Sequence, residues 1–241
     1  MLLSIIIPLY NESETLAHAL DQTFSFLRTH FGENFEIILI DDASLDGTFE
    51  ELGRLIQSYS PHLCHVIHNL KNKGKGHSIA QGVKEAKGDW IFFMDSDLST
   101  PLRFILPFID QLKKGADIVI ASRFEKSSKI TTPRSLTLSF LSWAERMLIR
   151  LIANLWYSDT QCGFKAFRGD VAKKLFAQSR IERFCFDVEI LFLAKRLKLK
   201  IETYPVEWLH GKNSKVRLID PVIFVRDLLR IRWYAWRGFY Q

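Results

Sequence analysis

The chain has 241 residues, of which 47% are hydrophobic, and this content is enough to bury one sizeable α/β core and excludes a disordered chain. Lysine and arginine (33) outnumber aspartate and glutamate (27), and the net charge of +6 suits an anionic partner without choosing among nucleotides, lipid phosphates and an acidic membrane face. Three widely separated cysteines, Cys64, Cys162 and Cys185, exclude a disulfide framework and a zinc site and fit a reducing compartment.

Strands and helices alternate from the start of the chain. The apolar run at residues 2–7 lacks a basic n-region and breaks at Pro8, so we interpret it as a first strand and not as a signal peptide. Strands are predicted at residues 3–7, 35–40, 64–68, 90–94 and 117–121. Helical stripes lie between them: Leu16, Leu20, Phe24 and Leu27, then Ile79, Val83 and Ala86. The pattern predicts an α/β fold with a mostly parallel twisted sheet flanked by helices.

Polar side chains follow four of these strands. They are Tyr10 and Glu12 after the first strand, Asp41 and Asp42 after the second, Asp95 and Asp97 after the fourth, and Arg123 after the fifth. The carboxyl ends of parallel strands meet at one edge of an open sheet, so we expect these residues to line one crevice. Any one of them is also explained as a helix cap, but four strand ends behaving alike favour a shared site.

The triplet Asp95-Ser96-Asp97 closes an apolar strand and is the strongest indication of chemistry. Two carboxylates one residue apart on a turn can share Mg²⁺ or Mn²⁺ and leave metal positions open for the oxygens of a nucleotide diphosphate. The alternative is a helix N-cap on a solvated loop. No G-x-G-x-x-G or P-loop motif is present, which disfavours a dinucleotide-binding Rossmann enzyme and a P-loop protein. Lys73-Gly74-Lys75-Gly76 instead precedes a helix whose N-terminal amides can face a phosphate.

Taken in order, these motifs resemble those of a known family. Pro8-x-Tyr10-Asn11-Glu12, Asp41-Asp42-x-Ser44-x-Asp46-Gly47-Thr48, Lys73-Gly74-Lys75-Gly76 and Asp95-Ser96-Asp97 resemble the nucleotide-sugar half of family-two glycosyltransferases with the GT-A fold. The later motifs are Ser122-Arg123, residues 159–165, Phe186-Asp187-Val188-Glu189 and Ser214-Lys215. They resemble the polyprenyl-phosphate branch of that family, and within it the dolichyl-phosphate β-glucosyltransferases.

The resemblance implies a domain organisation and a set of site residues. A catalytic domain would span residues 1–216, with a nucleotide-sugar half (1–123) and an acceptor half (124–216), before an amphipathic helix at 217–241. The implied donor-binding residues are Pro8, Tyr10, Glu12, Ile40, Asp42, Lys75, Asp95, Ser96, Asp97, Arg123 and Lys215. Among these, the first five would hold the nucleoside, Asp95 and Asp97 the diphosphate and metal, and Lys215 would close over the site. Arg123, Arg134 and Ser135 would receive the acceptor phosphate, and Asp97, Arg123 and Asp159 would be the catalytic residues.

The implied reaction is an inverting transfer of a hexose from a nucleotide sugar to a polyprenyl or dolichyl phosphate, with UDP-glucose favoured over GDP-mannose. A phosphate monoester whose second pKa is near about 6 is already largely ionised at neutral pH, so this acceptor needs little help from a general base. Asp159 would then orient the sugar hydroxyls or a basic neighbour. Asp187 and Glu189 either serve the site or pair with basic side chains at a helix start.

Two other functions stay open at this stage. A sugar-hydroxyl acceptor would require a general base, for which Asp159 and Asp187 are the candidates. A membrane-surface nucleotide-binding module without turnover is disfavoured by the intact Asp95, Asp97 and Arg123. Nucleic-acid binding is disfavoured because the basic residues are spread and no aromatic-basic recognition motif accompanies them.

Two amphipathic helices are predicted in the second half. The first starts at Thr132-Pro133 and places Phe140, Ala144, Met147, Leu151 and Leu155 on one face, away from Arg146 and Arg150. The second starts at Asp220-Pro221, with Arg226, Arg230 and Arg237 on one face, Phe224, Leu228, Ile231 and Ala235 on the other, and Trp233, Tyr234 and Trp236 near its end. Such helices either lie at a membrane interface or pack on the domain.

No stretch reaches the about 20 apolar residues that span a bilayer. We therefore expect a cytoplasmic protein, peripheral at the cytoplasmic face of a membrane, without a signal peptide or transmembrane helix. A membrane-protein partner and a homo-oligomer both stay open.

Overall fold

The fold is that of a computed structural model, which describes residues 2–59, 62–130, 136–209 and 220–240, with the backbone alone at residues 136–140. The strands are β1 (Leu3–Leu9), β2 (Phe35–Asp41), β3 (Cys64–His68), β4 (Trp90–Met94), β5 (Ile118–Ser122), β6 (Lys129–Ile130), β7 (Phe164–Arg168), β8 (Ile201–Pro205) and β9 (Glu207–Trp208). The helices are α1 (Ser13–Phe31), α2 (Thr48–Leu55), α3 (Lys75–Glu85), α4 (Ile105–Lys113), α5 (Leu136–Ala153), α6 (Gly169–Phe176), α7 (Phe186–Arg196) and α8 (Asp220–Trp236).

Seven strands form one sheet in the order β3-β2-β1-β4-β7-β5-β8, and β6 and β9 form a small separate ladder. The pairs β1–β2, β1–β4, β2–β3 and β5–β8 are parallel, which confirms the mostly parallel sheet. Strand β7 lies antiparallel between β4 and β5. Because β4 and β5 both oppose β7, they point the same way, and their carboxyl ends reach the same edge as those of β1 and β2.

The sheet is covered by helices on both faces, and alternation along the strands decides which side chain meets which layer. On β1, Ile6 joins the cluster beneath α3, whereas Ile5 and Ile7 join the cluster beneath α1. Every residue of the two predicted helical stripes is buried in one of these clusters. A fully buried side chain of this kind contributes roughly 1.5–3 kcal/mol, so the two layers fix the strand ends that carry the site.

The helices α5 and α8 pack on the α7 side of the sheet, and their buried faces are only partly those expected. Phe224, Leu228 and Ile231 of the predicted apolar face of α8 are buried in the same cluster as Ile149 of α5, so this face packs on the domain. On α5 the predicted apolar face is not buried as one stripe, because Leu151 is 74% exposed, and the helix ends at Ala153, before Leu155. Its predicted start at Thr132-Pro133 lies outside the described residues. Across the described ranges, none of the helices is both long and apolar enough to cross a bilayer.

Candidate functional site

A cavity of about 300 Å³ lies at the carboxyl ends of β1, β2 and β4. The residues that line it include Pro8, Tyr10, Glu12, Asp42, Lys75, Asp95, Ser96 and Asp97. Eight of the eleven predicted donor-binding residues are therefore brought together from four separate segments of the chain. This convergence is what the parallel arrangement of the strands predicts.

Sharp turns at three strand ends aim these side chains into the cavity. Asn11, Ala43 and Leu98 follow β1, β2 and the acidic triplet and have positive φ angles of 54°, 60° and 51°. A left-handed backbone costs a residue other than glycine roughly 1–2 kcal/mol and persists only where neighbours hold it. Around Asn11, its amide donates to Ser44 Oγ at 2.9 Å and its Oδ1 accepts from the Leu45 amide at 2.8 Å. The turn after β1 and the turn after β2 are therefore held together by these two hydrogen bonds.

Asp42 is buried and ties the second strand end to the segment that precedes α3. Its Oδ1 accepts hydrogen bonds from Asn69 Nδ2 and the Lys73 amide, both at 3.0 Å, and its Oδ2 accepts from the Gly74 amide at 2.7 Å. Hydrogen bonds from neutral donors to a carboxylate are shorter and stronger than those between neutral groups. The loop at residues 69–74 is thereby held beside the cavity, and α3 begins directly after it.

The acidic triplet lies on the other side of the cavity, and Lys75 reaches across to it. Lys75 Nζ contacts Asp95 Oδ1, while Asp97 Oδ1 accepts from the Ser99 amide at 2.9 Å. Burial works to lower the pKa of Lys75, but the charges of Asp95 and Asp187 raise it above its ordinary value. The ammonium therefore stays charged at neutral pH, next to the carboxylate pair.

The carboxylate of Asp95 packs directly on Gly163. A Cβ atom at residue 163 would lie 1.9 Å from Asp95 Oδ2, and the Asp95 amide donates to the Gly163 carbonyl at 3.1 Å. Only glycine leaves room for this approach.

The donor set fits Mg²⁺ or Mn²⁺ bound together with a diphosphate. Asp95 keeps 40% of its side chain exposed, and within the described ranges Asp97 Oδ2 accepts no hydrogen bond. No cluster of three or more His, Cys, Asp or Glu ligands occurs in the part of the chain that the structure describes. Mg²⁺ is commonly held by one or two carboxylates plus phosphate oxygens and waters, so two carboxylates in an open cavity suffice.

Arg123 does not line the cavity and lies beside it in a two-point ion pair with Asp159. Arg123 Nε donates to Asp159 Oδ2 at 2.7 Å, Nη2 donates to Oδ1 at 3.0 Å, and the Arg123 amide donates to Oδ2 at 3.1 Å. Burial opposes ionisation of Asp159, but the Arg123 charge and hydrogen bonds lower its pKa below the ordinary value. Asp159 therefore contacts a basic neighbour, which is one of the two roles expected for it.

Of the remaining predicted site residues, Ile40 does not line the cavity, and three are not described. Ile40 is fully buried in the core, because the alternation along β2 directs its side chain towards α3, where it packs near Gly82. Lys215, Arg134 and Ser135 lie outside the described residues.

Asp187 and Glu189, whose roles the sequence left open, are both buried at the start of α7. Asp187 pairs with Lys165 of β7, which also donates to the Cys162 carbonyl at 2.7 Å. Burial raises the pKa of Asp187, and the Lys165 charge opposes that rise. Glu189 accepts hydrogen bonds from Ser179 Oγ and from the amides of residues 180 and 181, and it pairs with no cation among the residues that the structure describes.

Sequence reasoning missed several residues at the site. Asn72, Arg183 and Phe184 line the cavity. Asn72 adjoins the Lys73-Gly74 motif and could have been included, whereas the other two lie in a loop without any motif. Glu145 of α5 lies near Arg123 and accepts a hydrogen bond from Gln161, and burial raises the pKa of Glu145. Its position depends on the fold of the second half, which the sequence pattern did not resolve.

The match to a known family decides how this arrangement is classified. Residues 4–176 match the family described as glycosyl transferase family 2. The chain belongs to glycosyltransferase family 2. It is therefore a glycosyltransferase with an α/β fold, and the sequence resemblance stated above is confirmed at this level.

Curated relatives place the chain near one branch of the family. It is 32% identical to a dolichyl-phosphate beta-glucosyltransferase of Trichomonas vaginalis, over 95% of this chain and 72% of that protein. It is 30% identical to the dolichyl-phosphate beta-glucosyltransferase of Saccharomyces cerevisiae, over 99% of this chain and 76% of that protein. The human protein of the same name is 29% identical, over 98% of this chain and 77% of its own length.

Solved structures show the same fold. Glucosyl-3-phosphoglycerate synthase of Mycobacterium tuberculosis, crystallised with Mn²⁺, UDP and phosphoglyceric acid, superposes with a TM-score of 0.67 at 20% identity. The superposition covers 96% of this chain and 77% of that one. At this identity the likeness supports the GT-A fold alone.

Proposed function

We propose that this glycosyltransferase moves glucose from UDP-glucose to a dolichyl or other polyprenyl phosphate, with inversion at the anomeric carbon. The observation that carries the proposal is the cavity at the strand ends, where the Asp95–Asp97 pair, Lys75 and Asp42 converge. The names of the relatives support glucose and a lipid phosphate as the transferred sugar and its acceptor.

The donor would lie across the cavity from the β1 turn to the acidic triplet. Tyr10 can cover one face of the base, and Glu12 or Asp42 can accept from a base N–H. Asp95 and Asp97 would hold Mg²⁺ or Mn²⁺, which when bound supplies positive charge against the diphosphate. Lys75 adds a fixed positive charge at the same place, so its ammonium group would also stabilise the negative charge on the departing UDP.

The chemistry is a single displacement. A phosphate oxygen of the acceptor forms a bond to the anomeric carbon while the bond from that carbon to the β-phosphate oxygen breaks, and UDP keeps the electron pair. Arg123, held in place by Asp159, would receive the acceptor phosphate, because a guanidinium binds phosphate at two points. Arg134 and Ser135 are proposed to contribute to the same subsite.

The burial of the two candidate bases supports a phosphate acceptor over a sugar hydroxyl. Asp159 is 2% exposed and tied to Arg123, and Asp187 is 4% exposed and tied to Lys165. Neither carboxylate is placed to take a proton from a hydroxyl in the cavity. A lipid phosphate, already ionised at neutral pH, needs no such step.

We further propose that α8 contacts an anionic membrane surface from which the acceptor is drawn, at the cytoplasmic face. Trp233 and Trp236 are 48% and 79% exposed, and four arginines lie on the same helix or directly after it: Arg226, Arg230, Arg232 and Arg237. Two of them, Arg226 and Arg230, bond to the buried Asp227, so Arg232 and Arg237 supply most of the remaining charge. Interfacial tryptophan with arginine suits the headgroup layer, and each cation near it adds about 1 kcal/mol.

The test is transfer of radiolabel from UDP-glucose, and in parallel from GDP-mannose, to a polyprenyl phosphate in detergent with Mn²⁺. We expect label in the organic phase with UDP-glucose and little with GDP-mannose. The reverse preference would replace glucose by mannose. Hydrolysis without a lipid product would discard the lipid phosphate as acceptor, and no turnover of either donor would favour a binding module.

A further inference from the structure

We propose that Tyr240 and Glu189 are positioning residues for the donor cavity, acting through the loop at residues 179–184. The proposal rests on the proposed function for the identity of the donor. It extends that function by joining the segment after α8 to the N-terminus of α3, where the Lys75–Asp95 contact is made.

Glu189 is the anchor of this loop. It is fully buried, and its carboxylate accepts from Ser179 Oγ at 2.6 Å, from the Arg180 amide at 3.0 Å and from the Ile181 amide at 2.9 Å. Tyr240 Oη donates to Glu189 Oε1 at 2.6 Å. A buried carboxylate depends on every one of its donors, so removing the tyrosine hydroxyl leaves Oε1 with the Arg180 amide as its one donor among the described residues.

The loop in turn determines where α3 begins. The Glu182 carbonyl accepts from the His77 amide at 3.0 Å, in the first turn of α3. The backbones of the loop and the helix are in close contact, because a Cβ atom at Gly74 would lie 2.7 Å from the Glu182 carbonyl oxygen. A Cβ atom at Gly76 would lie 2.7 Å from the carbonyl oxygen of Ile181. Any shift of the loop therefore moves the residues on both sides of Lys75.

The same loop also forms part of the cavity wall through Arg183 and Phe184. From the α8 side it is held by Arg180, whose Cζ lies 5.0 Å from the centre of the Phe239 ring. The Tyr240 hydroxyl is thus linked to the cavity through the Glu189 carboxylate and the loop backbone. Tyr240 and Glu189 do not themselves line the cavity, so their effect on the donor would be indirect.

The experiment compares Tyr240→Phe with Tyr59→Phe in the full chain. Tyr59 packs against Phe24 on the other face of the sheet, so its variant also loses one hydroxyl but has no link to the loop. We measure UDP binding by calorimetry with Mn²⁺, and amide exchange at residues 180 and 181. Tyr240→Phe is expected to weaken UDP binding by about 3–10-fold and to speed the exchange of both amides, in line with the loss of one hydrogen bond to a buried charge. Tyr59→Phe should change neither.

Glu189→Gln is the second variant, and it should weaken UDP binding more, because an NH₂ group that only donates replaces one of the two oxygens that accept from the loop backbone. With radiolabelled transfer as the readout, the KM for donor should rise while the KM for acceptor stays constant. If both variants bind UDP as the wild type does, the positioning role is wrong, whatever happens to stability. If the wild type itself binds no UDP, the proposed function is wrong, and this outcome is distinguished from the previous one by the wild-type measurement alone.

Discussion

Asp95 and Gly163 are in contact because residue 163 has no side chain, and a Cβ atom there would meet Asp95 Oδ2 at 1.9 Å. We predict that Gly163→Ala moves the Asp95 carboxylate out of its position beside Asp97 and lowers kcat/KM for the donor about 100-fold. A displacement of about 1 Å in an active site has an effect of this size. Steady-state kinetics with varied donor concentration measures it.

The matched control is Gly53→Ala on α2, where a Cβ atom would meet nothing within 4 Å. Its activity should equal that of the wild type, and its stability should rise by up to about 1 kcal/mol, because alanine is the better helix former. Unchanged donor kinetics in Gly163→Ala would show that the position of Asp95 is not critical.

The buried pair of Lys165 and Asp187 gives a prediction about stability. Both side chains are at most 5% exposed, so Lys165→Met leaves the buried Asp187 carboxylate without its paired ammonium and should lower the free energy of unfolding by about 3–5 kcal/mol. The double variant Lys165→Met with Asp187→Leu should recover most of this loss, since two apolar side chains replace the pair. Denaturant unfolding of all three proteins decides it, and a loss below about 1 kcal/mol in the single variant would contradict the account.

Asp46 gives a prediction about pH. Burial works to raise its pKa, but hydrogen bonds from Thr48 and Ser13 lower the pKa from 3.8 to about 2. A carboxyl with a lowered folded-state pKa stabilises the fold above pH about 4, and this contribution is lost as the pH falls towards 2. Asp46→Asn keeps one acceptor oxygen in place of two, so it loses the hydrogen bonds from either Ser13 or Thr48 and should cost about 1 kcal/mol at pH 7.

The difference in Tm between wild type and Asp46→Asn should therefore shrink as the pH falls from about 4 towards 2. Asp21→Asn, at an exposed position of α1, is the control and should track the wild type throughout. A Tm difference that stays constant down to pH 2 would show that the carboxylate charge is not what stabilises this turn.

Membrane contact is best tested on the exposed side of α8. Deleting the helix would uncover the core, because Leu228 and Ile231 are fully buried. The double variant Trp233→Ala with Trp236→Ala should weaken sedimentation with anionic liposomes several-fold while leaving the fold intact. Leu106→Ala, a partly exposed position on α4 beyond the opposite face of the sheet, should sediment as the wild type does. Equal sedimentation of both variants would assign the aromatic face to another role.

The sequence predicted the half of the fold whose signals are local. Strands β3 and β4 were predicted at their observed bounds, because the turn residues on either side of each short segment mark where the strand begins and ends. Strand β7 was missed because residues 164–168 follow the Asp159 to Gly163 motif without an alternating pattern, and its place between β4 and β5 is a tertiary property.

The site divides in the same way. Tyr10, Asp42 and Asp95 could be grouped from sequence because parallel strands bring their carboxyl ends to one edge. Arg183 and Tyr240 could not be, since each acts through contacts between segments distant in the chain. The error on α5 has a related cause, because helical periodicity gives the apolar stripe but not the neighbour that buries it.

The central claim is that the acidic pair at the strand ends serves metal-dependent transfer of glucose to a lipid phosphate. The most direct measurement is organic-phase label from UDP-glucose for the wild type with Mn²⁺, for the wild type with excess chelator, and for Asp97→Asn with Mn²⁺. We predict label in the first case and a loss of at least about 100-fold in the other two, with an unchanged circular dichroism spectrum for the variant. Full transfer by Asp97→Asn, with the same metal dependence as the wild type, would contradict the claim.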